Sequence, residues 1–303
     1  MKVSIIIPIY NSENTLYRCL NSVLNQTLKE FECYLINDGS TDKSGEICDE
    51  FSKKDPRFKV VHQENMGVSK SKNKIIHICK GEYIGMIDSD DYIEPDFYEL
   101  LYNKAKEFDV DLIKYSYICC YDNSSKTSKI NKIISKEELY DKVIMPYDQI
   151  LLNHTPLISL VNGIYKRNLF NDIKFNECIP KAYCEDVSVM FKLIENSSKL
   201  YILNDCKYVY YQNINTHSNN TKEMMKYIIV EFDNLIETSK NKNLLINVIL
   251  DHLYGHYISA LKKNINTDVY EKEIKKIINK CSLYSIKYCT QNTLHKIIQL
   301  LNL

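Results

Sequence analysis

Apolar positions in this chain fall into two alternating rhythms. Val3 to Ile9, Val-Ser-Ile-Ile-Ile-Pro-Ile, is a near-continuous apolar run of the kind that strands buried on both faces produce. After Tyr10-Asn11, Ser12 stands where a helix cap belongs, and Leu16, Cys19, Leu20, Val23 and Leu24 then recur at helical spacing as one stripe. The unit repeats. Phe31 to Ile36 predicts a strand, Asn37 to Asp42 a turn, and Ile47, Cys48 and Phe51 the buried side of a second helix. A third unit has its strand at Phe58 to His62, a loop from Gln63 to Gly67, and a helix over Val68 to Cys79. The fourth strand, Tyr83 to Ile87, precedes a helix starting near Pro95 with Leu100, Leu101, Lys104 and Ala105 on it.

Strands alternating with helices in this way predict parallel βαβ units with right-handed crossovers. Asp111 to Tyr121 reads as a further strand, and the Ser, Lys and Asn of Asp122 to Ser135 as a surface loop. From Lys136 to Pro180 the pattern weakens, although Asn162 to Lys166 suits a strand. Glu185 to Ile194 fits a helix, Leu200 to Tyr211 a last strand, and beyond Thr221 the chain turns to long helices. The expected fold class is α/β, a mostly parallel, Rossmann-like sheet flanked by helices over residues 1–220, with a C-terminal helical region over 221–303.

Composition narrows the partners. The 303 residues carry 39 Lys plus Arg against 39 Asp plus Glu, so summed charge supplies no attraction to nucleic acid. Eleven cysteines is an odd number with no Cys-x-x-Cys among them, which points to reduced thiols in a cytoplasmic protein. The N-terminus enters a strand without a leader-like segment, and no run approaches the ~18 apolar residues of a membrane span. Nor is there a Gly-x-Gly-x-x-Gly or a Gly-x-x-x-x-Gly-Lys-Ser/Thr, so a nucleotide would have to be held by another route.

The densest chemistry lies after the fourth strand. Asp88, Asp90 and Asp91 stand within four residues, and charges that close repel unless a cation sits among them. Carboxyl ends of strands are where open α/β sheets bind ligands, which suits a metal there. The plainer alternative is an acidic turn that caps the helix starting near Pro95; in the metal reading Asp91 faces away as a helix-start residue and is a second candidate for the ion.

Taken in order, Ile7-Pro8-Ile9-Tyr10-Asn11, Asn37-Asp38-Gly39-Ser40-Thr41-Asp42, Asn65-Met66-Gly67, Gly81-Glu82-Tyr83-Ile84, Asp88-Ser89-Asp90-Asp91 and Glu185-Asp186 resemble the inverting glycosyltransferases of family 2, which use nucleotide-sugar donors on the glycosyltransferase A fold. The resemblance runs over residues 3 to 212. It implies that Asp38 accepts the N3 hydrogen of uracil with the Tyr10 ring against the base, a charge-assisted contact. Pro8, Asn11, Asn65 and Ser89 fall in the same donor-binding loops. It implies that Asp90 coordinates Mn2+ or Mg2+ between the phosphates while Asp88 contacts the ribose or the ion. It makes Asp186 the base that activates the acceptor hydroxyl, kept ionised by the helix start on which it stands, and has Glu185 hold the acceptor.

The chain departs from the pattern in two places. Where the family often has Arg-Asn-x-Gly, Lys72-Asn73-Lys74-Ile75 stands, so Lys72 would supply the phosphate contact without the bidentate fork of Arg. After the last strand comes Tyr211-Gln212-Asn213-Ile214-Asn215-Thr216-His217-Ser218, whose His217 is a candidate for the metal, for a phosphate, or for neither. His252 and His256 have the spacing of a zinc pair, but Leu253 replaces the needed Glu, and they read as helix-face residues.

The function these features imply is transfer of a sugar from a UDP-sugar to a hydroxyl of a glycan or lipid-linked glycan, in surface-polysaccharide assembly. The C-terminal helices are open to core packing, an acceptor lid, self-association or a peripheral membrane face. A sugar nucleotidyltransferase, which would ordinarily need a Gly-rich basic signature near the first strand, and a non-catalytic nucleotide-sugar-binding module are the alternatives.

Overall fold

The computed structural model describes residues 1–121, 142–144, 159–177 and 185–212, together with Leu235, Asp268, Glu271, Lys272 and Lys275. The chain divides into two compact units, Met1–Pro146 with Ile158–Thr216, and Tyr147–Leu157 with His217–Leu303. In the second unit the described residues are helical, with Leu235 buried and Asp268, Lys272 and Lys275 exposed. The predicted C-terminal helices, and the loop predicted after Tyr121, otherwise lie outside the described residues.

The first unit is built on one sheet. Its elements run β1 (Val3–Ile9), α1 (Glu13–Leu24), β2 (Phe31–Asp38), α2 (Ser44–Lys54), β3 (Phe58–Gln63), α3 (Val68–Ile76), β4 (Tyr83–Met86), β5 (Tyr92–Ile93), α4 (Phe97–Phe108), β6 (Leu112–Tyr121), β7 (Lys142–Ile144), β8 (Gly163–Lys166), α5 (Glu185–Asn196) and β9 (Leu200–Gln212). The strand order is β3-β2-β1-β4-β8-β6-β9-β5, with β7 on β9. The parallel pairs β1–β2, β2–β3, β1–β4 and β6–β9 are the longer ladders. The antiparallel pairs involving β5, β7 and β8 are two or three residues long.

This order has a switch point at β1. From it the chain winds outward through β2 and β3, then returns to place β4 on the other side, and the gap above the carboxyl ends of β1 and β4 is where such sheets bind ligands. The core beneath is what the apolar rhythm predicts. Ile5, Ile6 and Ile7 of β1 are fully buried, and α1 lays Leu16, Cys19, Leu20 and Val23 inward. At the opposite, amino end of the sheet, buried Glu32 accepts from Ser4 Oγ at 2.7 Å, the Lys80 N–H at 2.6 Å and Lys59 Nζ at 2.5 Å. Burial opposes its charge, yet these donors hold its pKa below the ordinary value.

Several local expectations are corrected. Ser12 precedes α1 but its hydroxyl caps nothing; it turns to the Tyr10 carbonyl and Ser89, and Asp42 of the neighbouring loop accepts from the Glu13 N–H at 3.0 Å instead. The helix expected near Pro95 starts at Phe97, after the short strand β5. β2 continues through Asn37 and Asp38, so Asp38 is the last strand residue and not part of the turn. Cys19, Cys33, Cys48, Cys79 and Cys120 are free thiols, the first four buried.

Candidate functional site

The carboxyl ends of β1 and β2 are tied to each other by their loops. Asn11, with φ 48°, accepts at Oδ1 from the Thr41 N–H at 2.8 Å, and its own N–H donates to Ser40 Oγ at 3.1 Å. Tyr10 beside it is 47% exposed, so its ring is available to a ligand at the sheet edge. Pro8 stands past Ile6, the last β1 residue paired with β4, where its missing N–H removes no bond on that side.

Asp38 is buried at the end of β2. Its Oδ1 accepts from Gln63 Nε2 at 2.7 Å and the Met66 N–H at 2.9 Å, and its Oδ2 from the Gly67 N–H at 2.8 Å. The carboxylate thus folds the Asn65–Gly67 loop around itself, and of its roughly four acceptor directions about one is left over. The same packing explains Gly39. A Cβ there would lie 2.6 Å from the Asn65 nitrogen, at a φ of 71° that only glycine adopts freely.

The acidic turn after β4 is held from behind by one face of α1. Cys19 Sγ donates to the Asp88 carbonyl at 3.6 Å, Thr15 Oγ1 to the Ser89 carbonyl at 3.1 Å, and Arg18 Nη2 to the Asp90 carbonyl at 2.8 Å. Residues 15, 18 and 19 share a helix face, so α1 grips three consecutive carbonyls of the turn. Ser89 Oγ meets Ser12 Oγ at 2.7 Å, and the Arg18 guanidinium stacks 3.8 Å from the Tyr211 ring centroid.

Asp91 does not face away at a helix start. It is fully buried, accepting from the Tyr208 hydroxyl at 2.5 Å and the Tyr211 N–H at 2.8 Å, so it fastens the turn to β9. Burial, with Asp88 and Asp90 adding to it, pushes its pKa well up. Asp88 is pushed up to about 7, chiefly by burial, with Lys72 opposing and Asp90 reinforcing the shift. One carboxylate oxygen from each of Asp88, Asp90 and Asp91 lies within 4.8 Å of the others. That all-oxygen set, with a repulsion a cation would relieve, fits Mg2+ or Mn2+; since Asp91 is fully buried and fastened to β9 while Asp88 and Asp90 are partly exposed, the latter two would hold the ion.

Across from this turn, α5 begins with Glu185 and Asp186. Lys72 Nζ lies 3.1 Å from Glu185 Oε1 and 3.0 Å from Asp186 Oδ1, and Asp186 Oδ2 accepts from the Leu160 N–H at 3.3 Å. Lys72 is 2% exposed. Burial alone would lower its pKa, but Asp186 and Glu185, with Asp88 beyond them, more than reverse this and raise it. For Glu185, burial raises the pKa despite the Lys72 contact. Lys72 is therefore engaged by the α5 acids, where the sequence had it reaching for a phosphate.

The structure brings Asp88, Lys72, Glu185 and Asp186 within electrostatic reach of one another, with Asp90 beside Asp88. Asp38 joins this group through the loop that leads into the helix carrying Lys72. Asn65 contributes its backbone to the Gly39 contact, with its side chain exposed. His217, His252 and His256 lie outside the described residues. Sequence reasoning missed the α1 clamp, Gln63 and Lys114; a lone lysine in the apolar run of β6 was the available signal for the last.

The model of the glycosyl transferase family 2 matches residues 4–174. "Glycosyltransferase GlyA" of Streptococcus pneumoniae is 37% identical over 215 residues, which are 69% of this chain and 30% of that protein. "Glycosyltransferase GlyG" of the same organism is 35% identical over 214 residues, 69% of this chain and 70% of that protein. Among solved structures, S. aureus TarS 1-349 in complex with UDP-GlcNAc superposes with a TM-score of 0.75 at 20% identity, over 99% of this chain and 88% of that one.

Proposed function

Because the chain belongs to the glycosyl transferase family 2, we propose that it moves a sugar from a UDP-sugar to a hydroxyl of a glycan or lipid-linked glycan, with inversion, in surface-polysaccharide assembly. The reading rests above all on one observation: the Asp88 turn and the Asp186 carboxylate share one electrostatic cluster, joined by Lys72, at the switch point of the sheet. The TarS complex with UDP-GlcNAc, on the same fold, supports a uridine nucleotide as donor.

In this scheme the remaining acceptor direction of Asp38 receives the uracil N3–H, and the exposed Tyr10 ring covers the base. Asp88 and Asp90 would hold a divalent cation, which supplies neutralisation of the charge that builds on the departing diphosphate. Asp186 works at the other side of the sugar. Among the described residues each of its oxygens makes one contact, with Lys72 or the Leu160 N–H, which leaves a lone pair on each. One of these takes the proton of the acceptor hydroxyl as its oxygen bonds to the anomeric carbon and the bond from that carbon to the diphosphate breaks. Glu185, buried and held by Lys72, fixes the start of α5 on which the base stands. Lys72 serves here as the counter-cation of the acid pair.

The test is UDP release from a panel of UDP-sugars with Mn2+, alone and with glycan acceptors. Asp186→Asn should bind UDP as wild type does and turn over about 10^2- to 10^4-fold more slowly, the range of a general base. UDP binding without turnover by the wild type would make the chain a binding module instead.

A further inference from the structure

If Asp186 is the base, its second oxygen needs a fixed direction, and any residue that sets that direction owes its role to this reading of Asp186. Oδ1 has Lys72; among the described residues Oδ2 has the Leu160 N–H, offered by the turn that runs from Ser159 into β8. That N–H belongs to the same peptide group as the Ser159 carbonyl. The carbonyl is bound from its far side by the ammonium of Lys114, on β6. The described chain has no cis peptide bonds, so the carbonyl and the N–H point opposite ways, and Lys114 and Asp186 stand at the two ends of one peptide unit.

Lys114 is 2% exposed, and all three protons of its ammonium have acceptors: the Ser159 carbonyl, Asn162 Oδ1, and the Tyr165 hydroxyl at 3.2 Å. None of the three is a carboxylate. Two of them belong to the turn, and the third, Tyr165, donates onward to the Leu160 carbonyl at 3.1 Å. Asn162 is pinned to β6 as well, its Nδ2 donating to the Tyr115 carbonyl and its own carbonyl accepting the Tyr115 N–H at 2.9 Å. Gly163, next in the chain, has no room for a side chain: a Cβ would meet the Ile113 carbonyl at 2.3 Å. Every contact of Lys114 thus bears on where the Leu160 N–H points. A cation on the carbonyl end of a peptide also strengthens the N–H at the other end as a donor.

We infer that Lys114 is a positioning residue for the base, acting through the Ser159–Leu160 peptide to aim and strengthen the hydrogen bond that fixes Asp186 Oδ2. A buried ammonium is an unfavourable way to fill a strand position unless its polarity is used, and an apolar side chain would pack there without it. Removing it should leave the nucleotide contacts of β1, β2 and the acidic turn intact and loosen the base alone.

The experiment uses the full chain and the UDP-sugar that the wild type hydrolyses fastest with Mn2+. Lys114→Met should lower kcat for UDP release about tenfold to a hundredfold, the penalty for a misplaced catalytic group, with UDP affinity by calorimetry unchanged. Lys114→Gln, shorter and uncharged, is read by the same split should the methionine variant fail to fold. Asp186→Asn is run beside them. If it is inactive while Lys114→Met and Lys114→Gln turn over at the wild-type rate, the inference about Lys114 is overturned and the base stands. If either Lys114 variant loses UDP affinity in step with kcat, the residue acts on the whole fold and the inference also falls. If Asp186→Asn keeps full activity, the reading of the base fails first.

Discussion

A single ammonium stands between two carboxylates at Lys72, Glu185 and Asp186, and its removal would leave a buried acid and a half-buried one facing each other. Breaking a buried ion pair from one side is far more damaging than never having built it. Lys72→Met should therefore destabilise the protein by about 3 kcal/mol or more in urea unfolding. Adding Glu185→Gln should recover part of that loss, because burial has already raised the pKa of Glu185 against its ionised form. A double variant less stable than Lys72→Met would contradict this account of the cluster. Asp90 poses a different question, since its neighbour Asp91 is engaged by Tyr208 and Tyr211 and cannot replace it. Asp90→Ala should lose the part of UDP affinity that depends on Mn2+, while metal-free binding stays as it was; calorimetry with and without the ion decides.

At the scale of elements, α1 is a clamp as well as a packing helix. Its Thr15, Arg18 and Cys19 hold the three carbonyls of the acidic turn that carries Asp88 and Asp90. Groups that orient ligands from behind typically govern about ten- to a hundredfold in metal affinity. Arg18→Ala, which takes away both the Asp90 contact and the stack on Tyr211, should weaken the Mn2+ dependence of UDP binding about tenfold. An unchanged Mn2+ requirement would reduce α1 to core packing. None of this was legible in the sequence, where the apolar stripe of α1 announces its buried face and its polar residues carry no mark of partners some 70 positions away. The longer strands and helices were legible for the opposite reason: each is specified by its own periodicity. β5, two residues long, and β7, three, are too short for periodicity to register, and they exist only through their pairing with β9. The same holds for charges. That Asp88, Asp90 and Asp186 are candidates for the chemistry could be read from their motifs, but that Asp91 is a buried fastener and that Lys72 pairs with the acids of α5 are facts of distant contact.

Taken as a whole, the molecule is neutral in formal charge yet holds several ionisable groups out of water, and their shifts fall in different pH windows. Asp88, raised from 3.8 to about 7, is a group whose folded form keeps a proton that the unfolded chain has shed, so its contribution to stability declines as pH rises through that interval. Lys114 acts in the interval above. Burial lowers its pKa from 10.5 to about 7, with Asp186 pulling the other way. Between about pH 7 and 10.5 the unfolded chain therefore holds a proton that the folded chain has released, and stability from this group rises with pH, by up to about 1.4 kcal/mol per unit. Below pH 7 both states are protonated and its contribution is flat. Substituting Lys114→Met removes the titration from both states, so the stability of wild type minus that of the variant isolates it from every other group. Measured by urea unfolding without metal, that difference should be level from pH 5 to 6 and climb between pH 7 and 9. A difference that stays level through pH 9 would mean that Lys114 keeps its proton, its three acceptors outweighing burial. The peptide between it and Asp186 would then be held by a permanent cation.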